Sequence, residues 1–247
     1  MGGKSNMKIN LRSTLTGIVL VLVLVGVVLL VKKHKPAKVV PPQPAAGAVG
    51  YRAALKVRGP AAAAVKLVEF SDFECPSCRA VQTDLQSLFK DYPGQIQLTF
   101  KHFPLTSHRW SIYAHQAAEC MNAQGKFWPY QDMLYAKQLE WAPALVAPVE
   151  VLARYAVELG ADMNRFGACM SDVAVSREIY AEKEEGNQRQ VSATPTFFLG
   201  GERFVGPKEM QARGENAIRK ILGLPPKPVP EQKQATAAPV PPAAMPK

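Results

Sequence analysis

Three patterns of hydrophobic and polar positions divide the chain. Leu15 to Val31 reads LTGIVLVLVLVGVVLLV, seventeen residues with neither charge nor alternation. Val65-Lys66-Leu67-Val68-Glu69-Phe70 opens with apolar and polar side chains in turn, the two-residue period of a strand. Val81, Leu85, Leu88 and Phe89 then recur at helical spacing until Tyr92-Pro93-Gly94 stops the pattern. Gln95 to Phe103 alternates again, with Ile96, Leu98 and Phe100 on one face. From Ser107 to about Gln190 the signals are helical almost throughout, as in Ala114, Ala117, Ala118 and Met121, or Val151, Leu152, Tyr155 and Leu159. Strand character returns at Thr196-Phe197-Phe198-Leu199, turns at Gly200-Gly201 and resumes at Arg203-Phe204-Val205. An amphipathic helix from about Pro207 to Leu222 closes the series. The order strand, helix, strand, helical insert, hairpin, helix predicts an α/β fold: a mixed sheet with helices packed on it.

The ends follow different rules. As a helix, residues 15–31 span roughly 25 Å, the short end of what crosses a bilayer, and Lys32, Lys33 and Lys35 extend that reach by snorkelling. A cleaved signal peptide is the alternative. Its apolar core is usually shorter, about 7–15 residues, with a small-residue cleavage site directly after it. Here Lys32-Lys33-His34-Lys35-Pro36 follows, and the first small cluster, Pro44-Ala45-Ala46-Gly47-Ala48, comes late. The reading is a short cytoplasmic N-terminus at 1–14 and a single transmembrane signal-anchor at 15–31. A Pro/Ala-rich linker at 32–59 and a domain at 60–224 follow, with a helical insert over about 107–190. The tail at 225–247 has eight prolines and no aromatic residue, a composition that cannot build a core.

Charge changes the picture only once it is located. The net charge is +10, but residues 1–58 hold ten Lys/Arg and no Asp or Glu, while residues 59–247 hold twenty of each sign. The basic excess therefore points to a membrane surface and argues against a nucleic-acid partner. With Lys4, Lys8 and Arg12 before the apolar run and Lys32, Lys33, Lys35 and Lys38 after it, charge asymmetry does not set its orientation.

The chemistry concentrates at Cys75-Pro76-Ser77-Cys78, where a strand ends and a helix begins. Pro76 suits the first helical position, where its missing N–H would be unpaired anyway. A sulfur at a helix N-terminus faces unpaired amides and the positive end of the dipole, and both stabilise a thiolate. Cys75 is so placed as the attacking thiol; Cys78, one turn deeper, is the resolving thiol. The rival readings are a zinc site and a pair of buried structural thiols. Zinc wants a second short-spaced pair, which Cys120 and Cys169 do not form, so no metal is assigned, and the motif calls for no cofactor.

At this point the sequence resembles the DsbA-like thiol–disulfide oxidoreductases of the thioredoxin superfamily. The resemblance is carried by Val68-Glu69-Phe70-Ser71-Asp72-Phe73-Glu74-Cys75-Pro76-Ser77-Cys78, Phe100-Lys101-His102-Phe103-Pro104-Leu105, Ala117-Ala118-Glu119-Cys120, Gln124-Gly125-Lys126-Phe127-Trp128 and Ala193-Thr194-Pro195-Thr196-Phe197-Phe198. It implies a thioredoxin fold with a helical insert. It also implies that Pro195 is a cis-proline facing the cysteine pair, with an N–H removed from the sheet edge, and that the Thr194 backbone pairs with a substrate peptide as an added strand. A trans proline opening a strand is the alternative. Members often have Gly where this chain has Ala193, which bears on loop shape.

Cys120 and Cys169 fall on separate helices of the insert. With an even cysteine count and an oxidising location they read as a structural disulfide, the rival being a second redox pair that relays electrons. His102, His108 and His115 would tune Cys75 if they lay near it, though a structural or solvated role is the simpler one. Glu74 reads as a solvated carboxylate. Pro76-Ser77 resembles oxidase-type centres more than the Gly-Pro of reducing thioredoxins. The expected function is donation of the Cys75–Cys78 disulfide to exported proteins with free cysteines, recharged by a membrane-embedded oxidase, with the catalytic domain on the periplasmic or other extracytoplasmic side of the cell membrane. A reductase or isomerase using the same centre, or a non-catalytic tethered binding module, are the alternatives.

An exposed oxidising centre needs an oxidising compartment. Alkaline phosphatase fused to the C-terminus is therefore expected to be active in cells, and an inactive fusion alongside an active cytoplasmic reporter reverses the topology.

Overall fold

The computed structural model describes residues 56–228. The signal-anchor at 15–31, residues 1–14, most of the linker and most of the tail lie outside the described residues. Among the described residues no helix is long and apolar enough to cross a membrane.

A five-stranded sheet organises the domain, in the order β1-β3-β2-β4-β5. The strands are β1 (Val57–Arg58), β2 (Val65–Ser71), β3 (Ile96–His102), β4 (Thr196–Leu199) and β5 (Glu202–Val205). β2 and β3 run parallel, with Leu67 opposite Leu98 and Ser71 opposite His102. β1 pairs with β3, β4 with β2 and β5 with β4, all antiparallel, so the sheet is mixed as the element order predicts. Parallel neighbours need a crossover. It is supplied by α1 (Pro76–Ala80) and α2 (Gln82–Asp91), whose Val81, Leu85 and Leu88 pack on Val65, Leu67, Leu98 and Phe197.

Two details of the sheet depart from the sequence reading. The sheet starts inside the stretch assigned to the linker, because Val57–Arg58 forms an edge strand and Lys56 is buried beside it. Two residues are too few to show a period, and β1 exists only through its partner β3. Gly59 makes the exit possible: its φ is +99°, and a Cβ there would run into the Ile96 carbonyl oxygen. Pro195 was expected at the sheet edge, but β4 lies between β2 and β5, so the proline precedes an interior strand.

The insert is α3 (Ser111–Asn122), α4 (Phe127–Ala136), α5 (Gln138–Trp141), α6 (Val149–Glu158), α7 (Met163–Met170) and α8 (Val173–Gln188). Its core gathers Ala114, Met121, Tyr130, Trp141, Tyr155 and Ile179 around Phe73 and Phe100, so the insert and the reactive turn share one apolar cluster. α8 crosses the sheet closely at Gly186, where a side chain would collide with the Phe103 ring. The C-terminal segment predicted as one helix is α9 (Gly206–Glu209), a π turn at Met210–Gly214 and α10 (Glu215–Ile221).

Cys120 on α3 and Cys169 on α7 are disulfide-bonded across 5.6 Å between Cα atoms, the pairing the sequence reading assigned. A loop of this length contributes about 4 kcal/mol in the chain-entropy account. Cys120→Ala is expected to lower the unfolding free energy by a few kcal/mol in denaturant melts while exchange activity persists. Loss of activity from a fully folded variant reverses the assignment in favour of an electron relay.

Candidate active site

β2 delivers the chain to the site and α1 carries it away. The turn between them is set by Asp72, whose carboxylate is fully buried. Its Oδ1 accepts from the Glu74 amide at 2.9 Å and the Ser111 hydroxyl at 2.6 Å. Its Oδ2 accepts from the Leu105 amide at 2.7 Å and bonds His108 Nδ1 at 2.8 Å. Burial alone would raise the Asp72 pKa; the His108, His115 and Leu105 contacts overcome it and hold the carboxylate well below its usual range. The Asp72 carbonyl accepts the Cys75 amide at 3.1 Å, and the Asp72 amide points at Cys78 Sγ at 3.5 Å.

The two sulfurs sit in opposite environments. Cys75 is the N-cap of α1, with Pro76 at the first helical position as predicted, and keeps 7 % of its surface exposed, whereas Cys78 has none. The Cys78 thiol donates to Cys75 and holds its pKa down, to about 5, against the opposing effect of burial; Thr194 and the Cys78 and Ser77 amides lower it further. Cys78 moves the other way, pushed well above the ordinary thiol range by burial and by the charge of its neighbour. Such a split between paired groups marks one as nucleophile and the other as proton holder.

Thr194 and Pro195 complete the site. The Thr194–Pro195 bond is cis, and Cys75 Sγ donates to the Thr194 carbonyl at 3.4 Å, so the segments 75–78 and 194–195, more than a hundred residues apart, do face each other. The Thr194 hydroxyl is buried with no hydrogen-bond partner among the described residues and is at hand for a thiolate. The Pro195 carbonyl is taken by the Gly206 amide at 2.8 Å.

Several groups at the site were not singled out in the sequence. Glu69 lies on the half of β2 that is buried on both faces; burial lifts its pKa to about 7, and its Oε1 has no hydrogen-bond partner among the described residues. Ser71 bonds the Tyr135 hydroxyl at 2.9 Å, and Gln138 Nε2 donates to the Phe73 and Cys75 carbonyls at 2.7 and 3.0 Å, which fixes the turn from the insert side. Glu74 is not the solvated carboxylate expected. Its Oε2 accepts the Trp110 amide at 2.7 Å, and burial raises its pKa.

His102 and His115 are fully buried with their rings bonded to each other, and burial pushes His102 down to about 3. His102 Nε2 reaches Glu119 at 2.7 Å, and its amide donates to Glu182 at 2.7 Å. Lys56 Nζ pairs with Glu119 and, at 3.0 Å, with Glu182. His102, Glu119 and Glu182 converge as cation ligands would, with the Lys56 ammonium bound to both carboxylates of the cluster.

The family model described as "Thioredoxin" matches residues 54–217. The chain belongs to the thioredoxin family. Among curated relatives, this thioredoxin-family chain is 38% identical over 157 residues to the Na(+)/H(+) antiporter NhaA 3 of Salinispora tropica, covering 63% of the chain and 23% of that protein. It is 33% identical over 150 residues to the Na(+)/H(+) antiporter NhaA of Herminiimonas arsenicoxydans, covering 61% and 23%. The chain thus spans about a quarter of the length of these relatives. Among solved structures, α-DsbA1 of Wolbachia pipientis superposes with a TM-score of 0.61 at 20% identity, covering 71% of this chain and 94% of that one. Oxidised BdbD of Bacillus subtilis gives 0.58 at 22%, covering 68% and 93%. The fold is therefore the DsbA-like thioredoxin fold with its helical insertion.

A thiol whose folded pKa is depressed contributes stability above its unfolded value, near 9, and loses it as pH falls through the folded value. Reduced protein is accordingly expected to show a Cys75 thiolate absorbance at 240 nm that appears with a midpoint near pH 5. The same fold with a midpoint near 8 to 9 refutes the activated thiol.

Proposed function

We propose that this thioredoxin-family chain is a membrane-anchored protein thiol–disulfide oxidoreductase that donates its Cys75–Cys78 disulfide to exported proteins. One observation carries the reading: two cysteines at the head of a helix, facing a cis-proline segment, have pKa values driven in opposite directions. A low-pKa thiolate on Cys75 stabilises the reduced form and so makes the disulfide the oxidising partner.

The step balances without any further reagent. A substrate thiolate attacks Cys75 Sγ of the disulfide, the new bond forms, and the Cys75–Cys78 pair breaks with its electrons on Cys78. Cys78, the strongly basic sulfur, takes a proton. A second substrate thiolate then attacks the substrate sulfur of the mixed disulfide, completing a substrate disulfide and expelling Cys75 as the better leaving group. Two electrons pass to the protein, and a membrane-embedded oxidase removes them. The segment at 15–31 would hold the domain on the extracytoplasmic face of the cell membrane, where substrates emerge with free cysteines. Thr194 and Pro195 are the segment against which the substrate backbone would dock, and Pro76 and Ser77 space the two sulfurs.

Cys78→Ala is expected to accumulate mixed disulfides with cellular proteins, seen as bands lost on reduction, while Cys75→Ala accumulates few. Pro195→Thr is expected to prolong such complexes. Equilibration of the wild-type couple with glutathione decides the direction: a potential near about −270 mV, the value of reducing thioredoxins, overturns the oxidase reading.

A further inference from the structure

The cysteine turn itself brings no positive charge to Cys75. Pro76 and Ser77 are neutral, and the two acidic residues just ahead, Asp72 and Glu74, both oppose a thiolate. The loop after β3 is stitched to the turn at two points: His108 Nδ1 bonds Asp72 Oδ2 at 2.8 Å, and the Trp110 amide donates to Glu74 Oε2 at 2.7 Å. Those two contacts lay residues 108–110 along the segment that enters Cys75, with the imidazole part-exposed at its head.

We propose that His108 is a positioning residue of the redox centre: clamped by Asp72, its imidazolium supplies the positive charge that faces the Cys75 thiolate, the place of a basic residue within the cysteine turn. The inference rests on the oxidoreductase reading above. From the β2–α1 turn, Asp72, Glu74 and Cys75 itself face His108. From α3 comes His115, whose pKa burial lowers. From its own loop comes Arg109, whose guanidinium lies 4.5 Å from the centre of the Trp110 ring. α1 adds Arg79, a turn beyond Cys75. The Asp72 bond raises the His108 pKa against the opposing effect of burial, and the nearby Cys75 charge raises it further, as a reciprocal attraction requires.

The consequence is a proton shared between redox states. In the dithiol form the thiolate holds His108 protonated; in the disulfide form that attraction is gone. The His108 imidazole of wild-type protein, followed by NMR, is therefore expected to titrate at higher pH when reduced than when oxidised.

His108→Asn keeps an amide N–H where Nδ1 stands and removes the charge, whereas His108→Lys restores a cation. The Asn variant should raise the Cys75 thiolate midpoint by about one pH unit. It should also shift the glutathione equilibrium about fivefold toward the disulfide at pH 6, about 20 mV. The gap from wild type should close as pH rises past the titration of His108, and the Lys variant should lie close to wild type.

Equal His108 midpoints in the two redox states overturn the proposal, even if the Asn variant fails to fold. So does a folded Asn variant with wild-type midpoint and potential, or an equal shift in the Asn and Lys variants. A wild-type Cys75 that titrates as an ordinary thiol, or does not equilibrate with glutathione, instead defeats the underlying oxidoreductase reading, which separates the two failures.

Discussion

The domain turns on one buried carboxylate. Asp72 has no exposed surface, yet it accepts hydrogen bonds from two backbone amides, a hydroxyl and an imidazole. A charge in that position is tolerable only because every one of those partners is in place. Those partners come from three places: its own turn, the loop after β3, and the first helix of the insert. The carboxylate therefore cannot ionise comfortably unless sheet, loop and insert are all assembled. Its backbone meanwhile meets both cysteines, so assembly of the fold and formation of the reactive turn are one event.

From that fixed turn the asymmetry of the sulfurs follows without further invention. The chain enters a helix at Cys75, which puts the first sulfur at the end where amides lack partners and the second a turn inward, under Phe73 and the insert core. The same burial that costs Cys78 its acidity leaves its hydrogen free to point at Cys75 and hold that thiolate down. The cis Thr194–Pro195 segment is brought up by β4, whose pairing with β2 sets its height against the sulfur.

A second buried charge system fastens the start of the domain. Lys56, Glu119, Glu182 and the two buried histidines tie β1 to α3, α8 and β3. Removing one member of such a set leaves its partner charged in the core, which typically costs about 3–5 kcal/mol. The chain's entry from the linker is thus locked to the helical insert as well as to the sheet edge, and the histidine pair carries the system as far as Asp72, 3.6 Å from His115.

Much of this was legible in the chain. Alternation at β2 and β3, helical spacing after Cys78 and the long helical stretch of the insert are local properties, because periodicity is imposed by which face each element buries. The cysteine turn, Pro76 and the helix start are adjacent residues, and the pairing of Cys120 with Cys169 follows from parity once the other pair is assigned. What sequence could not decide was every contact between distant segments. β1 is two residues long and exists only against β3. Glu74, read as solvated, is part-buried and bound by the Trp110 amide. Asp72, Glu69, Lys56 and the histidines carry no spacing signal, since a buried polar group is defined by partners that arrive from thirteen to well over a hundred residues away. Residue type and neighbours along the chain set where a reactive thiol can be; only the tertiary structure decides which charges face it, because those charges meet in space and not in sequence.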